Sequence, residues 1–182
     1  LRTLSASECQ FAYRDSVFKQ QLAGRAIITA VTFRLHKTFT PQLGYGDLAH
    51  QVVSPCTADA VFEAVCALRR AKLPDPAVLG SAGSFFKNPV VSAQQAAALQ
   101  INYPNLVQYP QTDGRVKLAA GWLIEQAGWK GYRCADAGVH VAQALVLVNY
   151  GQATGAQIWA LAQAIVADVA AKFGVNLVPE PH

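Results

Sequence analysis

Pro74 and Pro76, two residues apart near the middle of a 182-residue chain, limit the folds open to it more than any other feature. A proline inside a helix removes a backbone donor and clashes with the turn before it, and it pushes the residue ahead of it towards extended backbone. The segment "DAVFEAVCALRRAKL" just before the break carries Val61, Val65 and Leu68 at helical spacing, with Thr57 placed to cap its start. That helix must end at Pro74-Asp75-Pro76. The chain therefore divides into two blocks of different character.

Ahead of the break, Thr3 to Tyr13 and Arg25 to Leu35 ("RAIITAVTFRL") are rich in β-branched and apolar residues and are predicted to be two paired strands, joined by a polar segment ending at Gly24. Beyond it, Ser92 with Gln95 and Thr154 with Gln157 are capping-box pairs that open helices, the second with an apolar stripe of Ile158, Leu161, Ile165, Val169 and Phe173. "KLAAGWLIEQAG" reads as a helix closing at Gly128, "QALVLVN" as a buried strand and "VNLVPE" as a closing strand. The expected class is α+β: a strand-rich lobe followed by a mixed α/β domain.

Composition narrows the function. With 52% apolar and 14% charged residues the chain can fill a core, and its net charge of +4 comes without any basic run longer than Arg69-Arg70. A nucleic-acid surface would need Lys and Arg clustered among aromatics, so small anionic ligands or a merely solvated surface fit better. The four cysteines form no Cys-x-x-Cys pair, and His36, His50, His140 and His182 stand alone, so neither a zinc site nor a disulfide framework is expected. Reduced thiols in a cytoplasmic protein fit best. No window is long and apolar enough to predict a membrane span. Methionine is absent and the chain opens "LRTLSASECQ", from which a longer parent polypeptide is expected.

Three places could carry chemistry. "GSAGSFFKNPVVS", Gly80 to Ser92, sets flexible glycines and hydroxyls before the Phe85-Phe86 pair. It fits neither a P-loop nor a nucleophile elbow, since Lys87 lies four residues past Gly83 and no glycine follows Ser84 at the required spacing. Ser84 could still act as a proton donor held by packed rings, or the stretch could be only a tight turn over buried phenylalanines. Arg14, in "YRDS", could bind a carboxylate through both arms of its guanidinium or simply pair with Asp15. Glu180, after Pro179, could face a ligand or only water.

The segments "YRDSVFK", "YGDL", "KLPDPAVLGSAGSFFKNPVVS", "YPQTDGRVKLAAGWLIEQAGWKG", "AGVHVAQALVLVN" and "LVPE" occur in an order that closely resembles the UDP-N-acetylenolpyruvoylglucosamine reductase family, flavoenzymes of bacterial peptidoglycan precursor synthesis, in its longer-chain type. The resemblance implies that residues 1–73 are the second half of an FAD-binding domain lacking its N-terminal segment, that 74–174 bind substrate, and that 175–182 return towards the flavin lobe. It implies FAD and NADPH as cofactors, a UDP-sugar enolpyruvyl ether as substrate, and a monomer with no nucleic-acid or membrane partner.

By the same resemblance Ser84 is the proton donor, Arg14 holds the substrate carboxylate, and Glu180 hydrogen-bonds and polarises that group. Tyr13 and Arg69 match flavin-contacting positions, and Tyr45, Lys72, Asn88, Tyr109 and Gln143 match substrate contacts. The family follows its glutamate with Val-Arg, whereas Pro181-His182 follows here, so Glu180 is expected to lack a downstream anchor. The alternative is a non-catalytic UDP-sugar binding module, which would use Lys72, Asn88 and Tyr109 but not Arg14 or Glu180.

Overall fold

The computed structural model describes residues 1–181; His182, read above as an isolated histidine, lies outside them. Two compact units emerge, Leu1–Thr40 and Pro41–His182.

The first unit is irregular. Its helical element is the 3-10 helix Val17–Lys19, and an isolated antiparallel bridge joins Ala12 to Asp15. Neither Thr3–Tyr13 nor Arg25–Leu35 forms the expected strand, which corrects the reading from composition. β-branched residues favour a pleated surface that is half buried, but a strand exists only when a neighbour accepts its backbone hydrogen bonds. In this unit Ile27, Val31, Phe33 and Leu35 stand exposed, and no strand of it runs alongside them. Cys9 and Val17 are buried together, tied by Val17 N–H donating to Cys9 O at 2.9 Å.

The second unit contains helices α1 (Leu48–Gln51), α2 (Ala58–Lys72), α3 (Ala93–Asn102), α4 (Ala120–Gln126) and α5 (Gly155–Phe173). Its strands are β1 (Gly80–Ser84), β2 (Val90–Val91), β3 (Gln108–Pro110), β4 (Val116–Leu118), β5 (Arg133–Cys134), β6 (Ala137–Val139) and β7 (Val146–Asn149). They make a four-stranded antiparallel sheet in the order β1-β7-β6-β5 and a three-stranded one in the order β2-β4-β3. The class is α+β, as the sequence implies.

The predicted caps hold. Thr57 Oγ1 accepts from Ala60 N–H at 3.1 Å, Ser92 Oγ from Gln95 N–H at 3.1 Å, and Thr154 with Gln157 forms the full reciprocal box. At Ser92 the box is only half made, because Gln95 Nε2 donates instead to Gly174 O, 3.0 Å away, fastening the start of α3 to the end of α5. Gly174 ends α5 at φ +63, a left-handed backbone that glycine adopts without steric cost.

The strand-rich edge of this unit was less visible. β1 contains Gly80 and Gly83 and reads as a turn, yet it pairs with β7, Gly80 opposite Asn149, with a register shift between Ser81 and Ser84. "KLAAGWLIEQAG" is not helical throughout, since its first residues belong to β4. "VNLVPE" makes only an isolated bridge, Phe86 to Pro179.

The core lies between these layers. From α5 come Leu161, Ile165, Val169 and Phe173, which meet Leu123 and Ile124 of α4, Val139 and Leu147 of the larger sheet, and Phe85 and Phe86 after β1. Tyr103, Trp122 and Phe173 form an edge-to-face cluster with centroids 5.0 to 6.1 Å apart. Trp129 Nε1 donates to Asp168 Oδ2 at 2.9 Å, and Lys172 Nζ donates to Gln126 O, so α4 and α5 are also joined by polar ties.

Phe86, at 1% exposure, is sealed in this core, whereas Thr154 supplies one cap at the surface. Urea unfolding of the chain is expected to give a loss of about 3–5 kcal/mol for Phe86→Ala and about 1 kcal/mol for Thr154→Ala. Equal losses for the two would contradict this placement of the core.

Candidate functional site

Five consecutive residues, Phe85 to Pro89, connect the elements around the candidate site. Phe85 N–H donates to Leu145 O at 2.7 Å, which carries the β1–β7 pairing one residue past Ser84. On the tail side, Glu180 N–H donates to Phe85 O at 2.8 Å and Lys87 N–H to Val178 O at 2.9 Å, flanking the Phe86–Pro179 bridge. Asn88 Oδ1 accepts Ala120 N–H at 2.9 Å, and Pro89 O accepts Leu118 N–H at 2.9 Å.

The consequence for Glu180 is direct. Pairing from the upstream side sets its backbone opposite Phe85, the residue after Ser84. Ser84 itself is exposed at the end of β1, while the two rings that follow it are buried and in edge contact with centroids 5.3 Å apart. Gly83, at φ +75, lets the chain turn from β1 into that buried pair, with nothing within 4 Å of where a Cβ would project. Gly80 is different: a Cβ there would make ordinary contact with Asn149, 3.7 Å away.

Asn88 and Gln143 come together at the start of α4. Ala119, which precedes that helix, provides no side-chain cap, so Asn88 supplies the missing acceptor from another element. Gln143 Oε1 accepts Leu145 N–H at 3.3 Å and would lie 3.1 Å from a Cβ added at Gly121. Both side chains are half buried. Tyr109 stands on β3 directly opposite Lys117 of β4, and the Lys117 ammonium lies 5.7 Å from the centre of the phenol ring.

Lys117 is the residue that sequence reasoning missed. Its signal was present: a lysine eight residues after Tyr109, across a turn marked by Asp113-Gly114. That turn is held by Arg115, whose side chain pairs with Asp113 at 2.7 Å, and by Gly114 at φ +80.

The remaining site residues belong elsewhere in the chain. Tyr13 and Arg14 are in the 1–40 unit, where Arg14 caps the tight Ala12–Asp15 turn with a left-handed backbone, φ +56, uncommon for a residue with a side chain. Lys19 Nζ donates to Arg14 O at 3.1 Å, and the Asp15 carboxylate accepts from Ser16 N–H and Gln20 Nε2, each at 2.8 Å. Tyr45 is exposed just before α1, and Arg69 and Lys72 are exposed in the last turn of α2.

The second unit is thus an α+β domain in which an exposed serine precedes a buried phenylalanine whose carbonyl receives the Glu180 N–H, with Asn88 and Gln143 at the start of α4. A family model described as UDP-N-acetylenolpyruvoylglucosamine reductase, C-terminal domain, matches residues 75–182, and the chain belongs to that family. UDP-N-acetylenolpyruvoylglucosamine reductase of Chromobacterium violaceum is 60% identical over 98% of this chain and 54% of its own length. The protein of the same description from Pseudomonas putida is 56% identical over 100% and 55% respectively. The chain thus spans about half the length of the curated relatives it matches. Among solved structures, the reductase of Thermus caldophilus aligns at 24% identity and a TM-score of 0.37 over 65% of this chain and 32% of that one, too loose a likeness to carry an argument.

Two outcomes test this geometry. Removing the Asn88 acceptor leaves the buried Ala120 N–H without it, so Asn88→Ala should destabilise the chain by about 1–3 kcal/mol in urea unfolding; no change would separate Asn88 from the α4 start. The hydrogen bonds and charge of Arg115 hold the Asp113 carboxyl below the usual carboxylate range. A group depressed in the folded state adds stability above its unfolded value, and that stability is lost as pH falls through the folded one. An NMR titration should show Asp113 protonating below an ordinary aspartate, and Arg115→Ala should raise it part of the way back, since the backbone N–H of residue 115 still donates to the carboxylate.

Proposed function

We propose that this chain is the core of an NADPH-dependent flavoenzyme that reduces UDP-N-acetylglucosamine enolpyruvate to UDP-N-acetylmuramate in peptidoglycan precursor synthesis, acting as a monomer in the cytoplasm. The observation that carries the reading is the hydrogen bond from Glu180 N–H to Phe85 O at 2.8 Å, which sets the Glu180 backbone beside the residue that follows Ser84. Membership of the reductase family supports it.

Residues 1–73 would belong to the FAD-binding part, 74–174 to the substrate domain, and 175–182 to a return segment. The open space at Gly83 fits the approach of a flat ring system to the backbone beside Ser84. Tyr13 and Arg69 would contact the flavin, which when bound supplies the hydride it has received from NADPH.

The chain's own groups have three tasks. Hydride arriving at the enolpyruvyl methylene carbon leaves negative charge on the neighbouring carbon and its carboxylate, and this charge must be held and then quenched. Arg14 would hold it: a guanidinium matches a carboxylate at two points, and the left-handed turn at Arg14 is the kind of strained backbone that clusters at functional sites. Glu180 would hydrogen-bond the same carboxyl group and polarise it. Ser84 Oγ–H would deliver its proton to the electron-rich carbon, and the alkoxide left behind would be reprotonated from solvent.

Lys72, Lys117, Tyr45, Tyr109, Asn88 and Gln143 would bind the UDP-sugar. Lys117 beside Tyr109 suits a diphosphate next to a uracil ring, since one group supplies charge and the other a face for stacking.

In the complete protein, NADPH oxidation that depends on the enolpyruvyl ether is expected. Ser84→Ala should lower kcat by about 10²–10⁴-fold with KM little changed, the range typical of losing a general acid. Wild-type turnover in that variant would refute the reading, and substrate binding without any turnover in the unaltered protein would leave a binding module.

A further inference from the structure

We infer that Trp159 is a positioning residue for the Ser84–Glu180 pair, acting through the Phe85 ring. The inference rests on the proposed reductase reading but concerns a residue with no place in it.

Trp159 stands on the first turns of α5 and is 43% exposed, although the stripe of that helix built to face the core is Ile158, Leu161, Ile165 and Val169. Its indole lies 6.4 Å from Phe85, ring centre to ring centre, at 50°. Phe85 in turn meets Phe86 edge-on at 5.3 Å. A row of three rings therefore runs from the surface of α5 into the core, with Phe85 in the middle.

Phe85 is also the point where the two candidate catalytic groups join. Ser84 precedes it in the chain, and its carbonyl receives the Glu180 N–H at 2.8 Å. Rotation or withdrawal of its ring would tilt that peptide and change the separation of hydroxyl and carboxylate. Phe86 meets Phe85 from within the core, and the half-exposed Trp159 of α5 approaches its ring from the surface side.

The base beneath Trp159 is firm. The Thr154–Gln157 capping box fixes the start of α5. Asn149 then ties that start to β7, its Oδ1 accepting Gly151 N–H and Ala153 N–H at 3.0 Å each and its Nδ2 donating to Ala153 O at 2.8 Å. Since Asn149 is also the register partner of Gly80, the helix carrying Trp159 and the strand leading to Ser84 share one support. Positions held this way transmit a side-chain shift as a change in geometry and not as loose motion.

Trp159→Ala, Trp159→Phe and Ser84→Ala in the complete, flavin-loaded protein provide the test. Trp159→Ala should lower kcat about tenfold or more while KM for the enolpyruvyl ether stays within about twofold, because a misaligned donor slows the proton step and not binding. The solvent deuterium isotope effect on kcat should rise, and Trp159→Phe should restore both. A purely structural tryptophan would lower the amount of folded enzyme and leave the isotope effect unchanged; that result, or wild-type kcat in Trp159→Ala, would overturn the inference.

A second readout needs no turnover. Amide hydrogen exchange at Phe85 and Glu180 should quicken about tenfold in Trp159→Ala while the amides of α5 keep their protection. Unchanged exchange at those two positions also overturns the inference. Full activity in Ser84→Ala would instead strike the reductase reading, and the exchange measurement judges the ring relay independently of it.

Discussion

Two backbone hydrogen bonds, Glu180 N–H to Phe85 O and Lys87 N–H to Val178 O, hold the end of the second unit against the segment that carries Ser84. Each is individually modest, about 0.5–1.5 kcal/mol net. Their weight comes from where they act. Residues 85 to 89 face Leu145 on one side, the tail on another and the α4 start beyond, so a short peptide with two buried rings ties together the backbone after Ser84, the backbone of Glu180 and the first turn of α4. This explains the unusual composition of "GSAGSFFKNPVVS": flexibility is needed where β1 turns, bulk where the core must grip, and polar groups where other elements must be joined.

Tyr109 and Lys117 belong to a second substructure, the β3–β4 hairpin, and reach the same region by another route. β4 pairs on its far side with β2, which follows directly from the Phe85–Pro89 peptide. The hairpin is thus attached to the same five residues, while its exposed turn carries the Asp113–Arg115 pair.

The sequence revealed the helices well, and among the strands the buried "QALVLVN" segment, which contains β7, but not the glycine-bearing or short ones. Thr57, Ser92 and Thr154 marked three starts because a cap is a local interaction, completed within three residues, and Pro74 and Gly128 marked stops for equally local reasons. β1 escaped notice because its pairing comes from β7, more than sixty residues away, which tolerates Gly80 and Gly83 where isolated propensity would not. Arg25–Leu35 erred in the opposite direction, its β-branched residues being strand-like without a strand to join. For the candidate site, family resemblance is what pointed to Ser84, Asn88 and Gln143. The role of Phe85 as a junction and the meeting of Asn88 with Ala120 were not, since both depend on contacts between distant segments.

Pro179 sits at the middle of the tail bridge, opposite Phe86, between two residues whose backbone groups point inward to Lys87 and Phe85. At that register a residue's own N–H would point outward, away from Phe86. Proline has none, so the outer rim of the tail lacks the donor that an incoming extended peptide would engage. The tail segment paired with Phe85–Lys87 thereby offers one donor fewer to adventitious strand addition and to the self-association that follows from it.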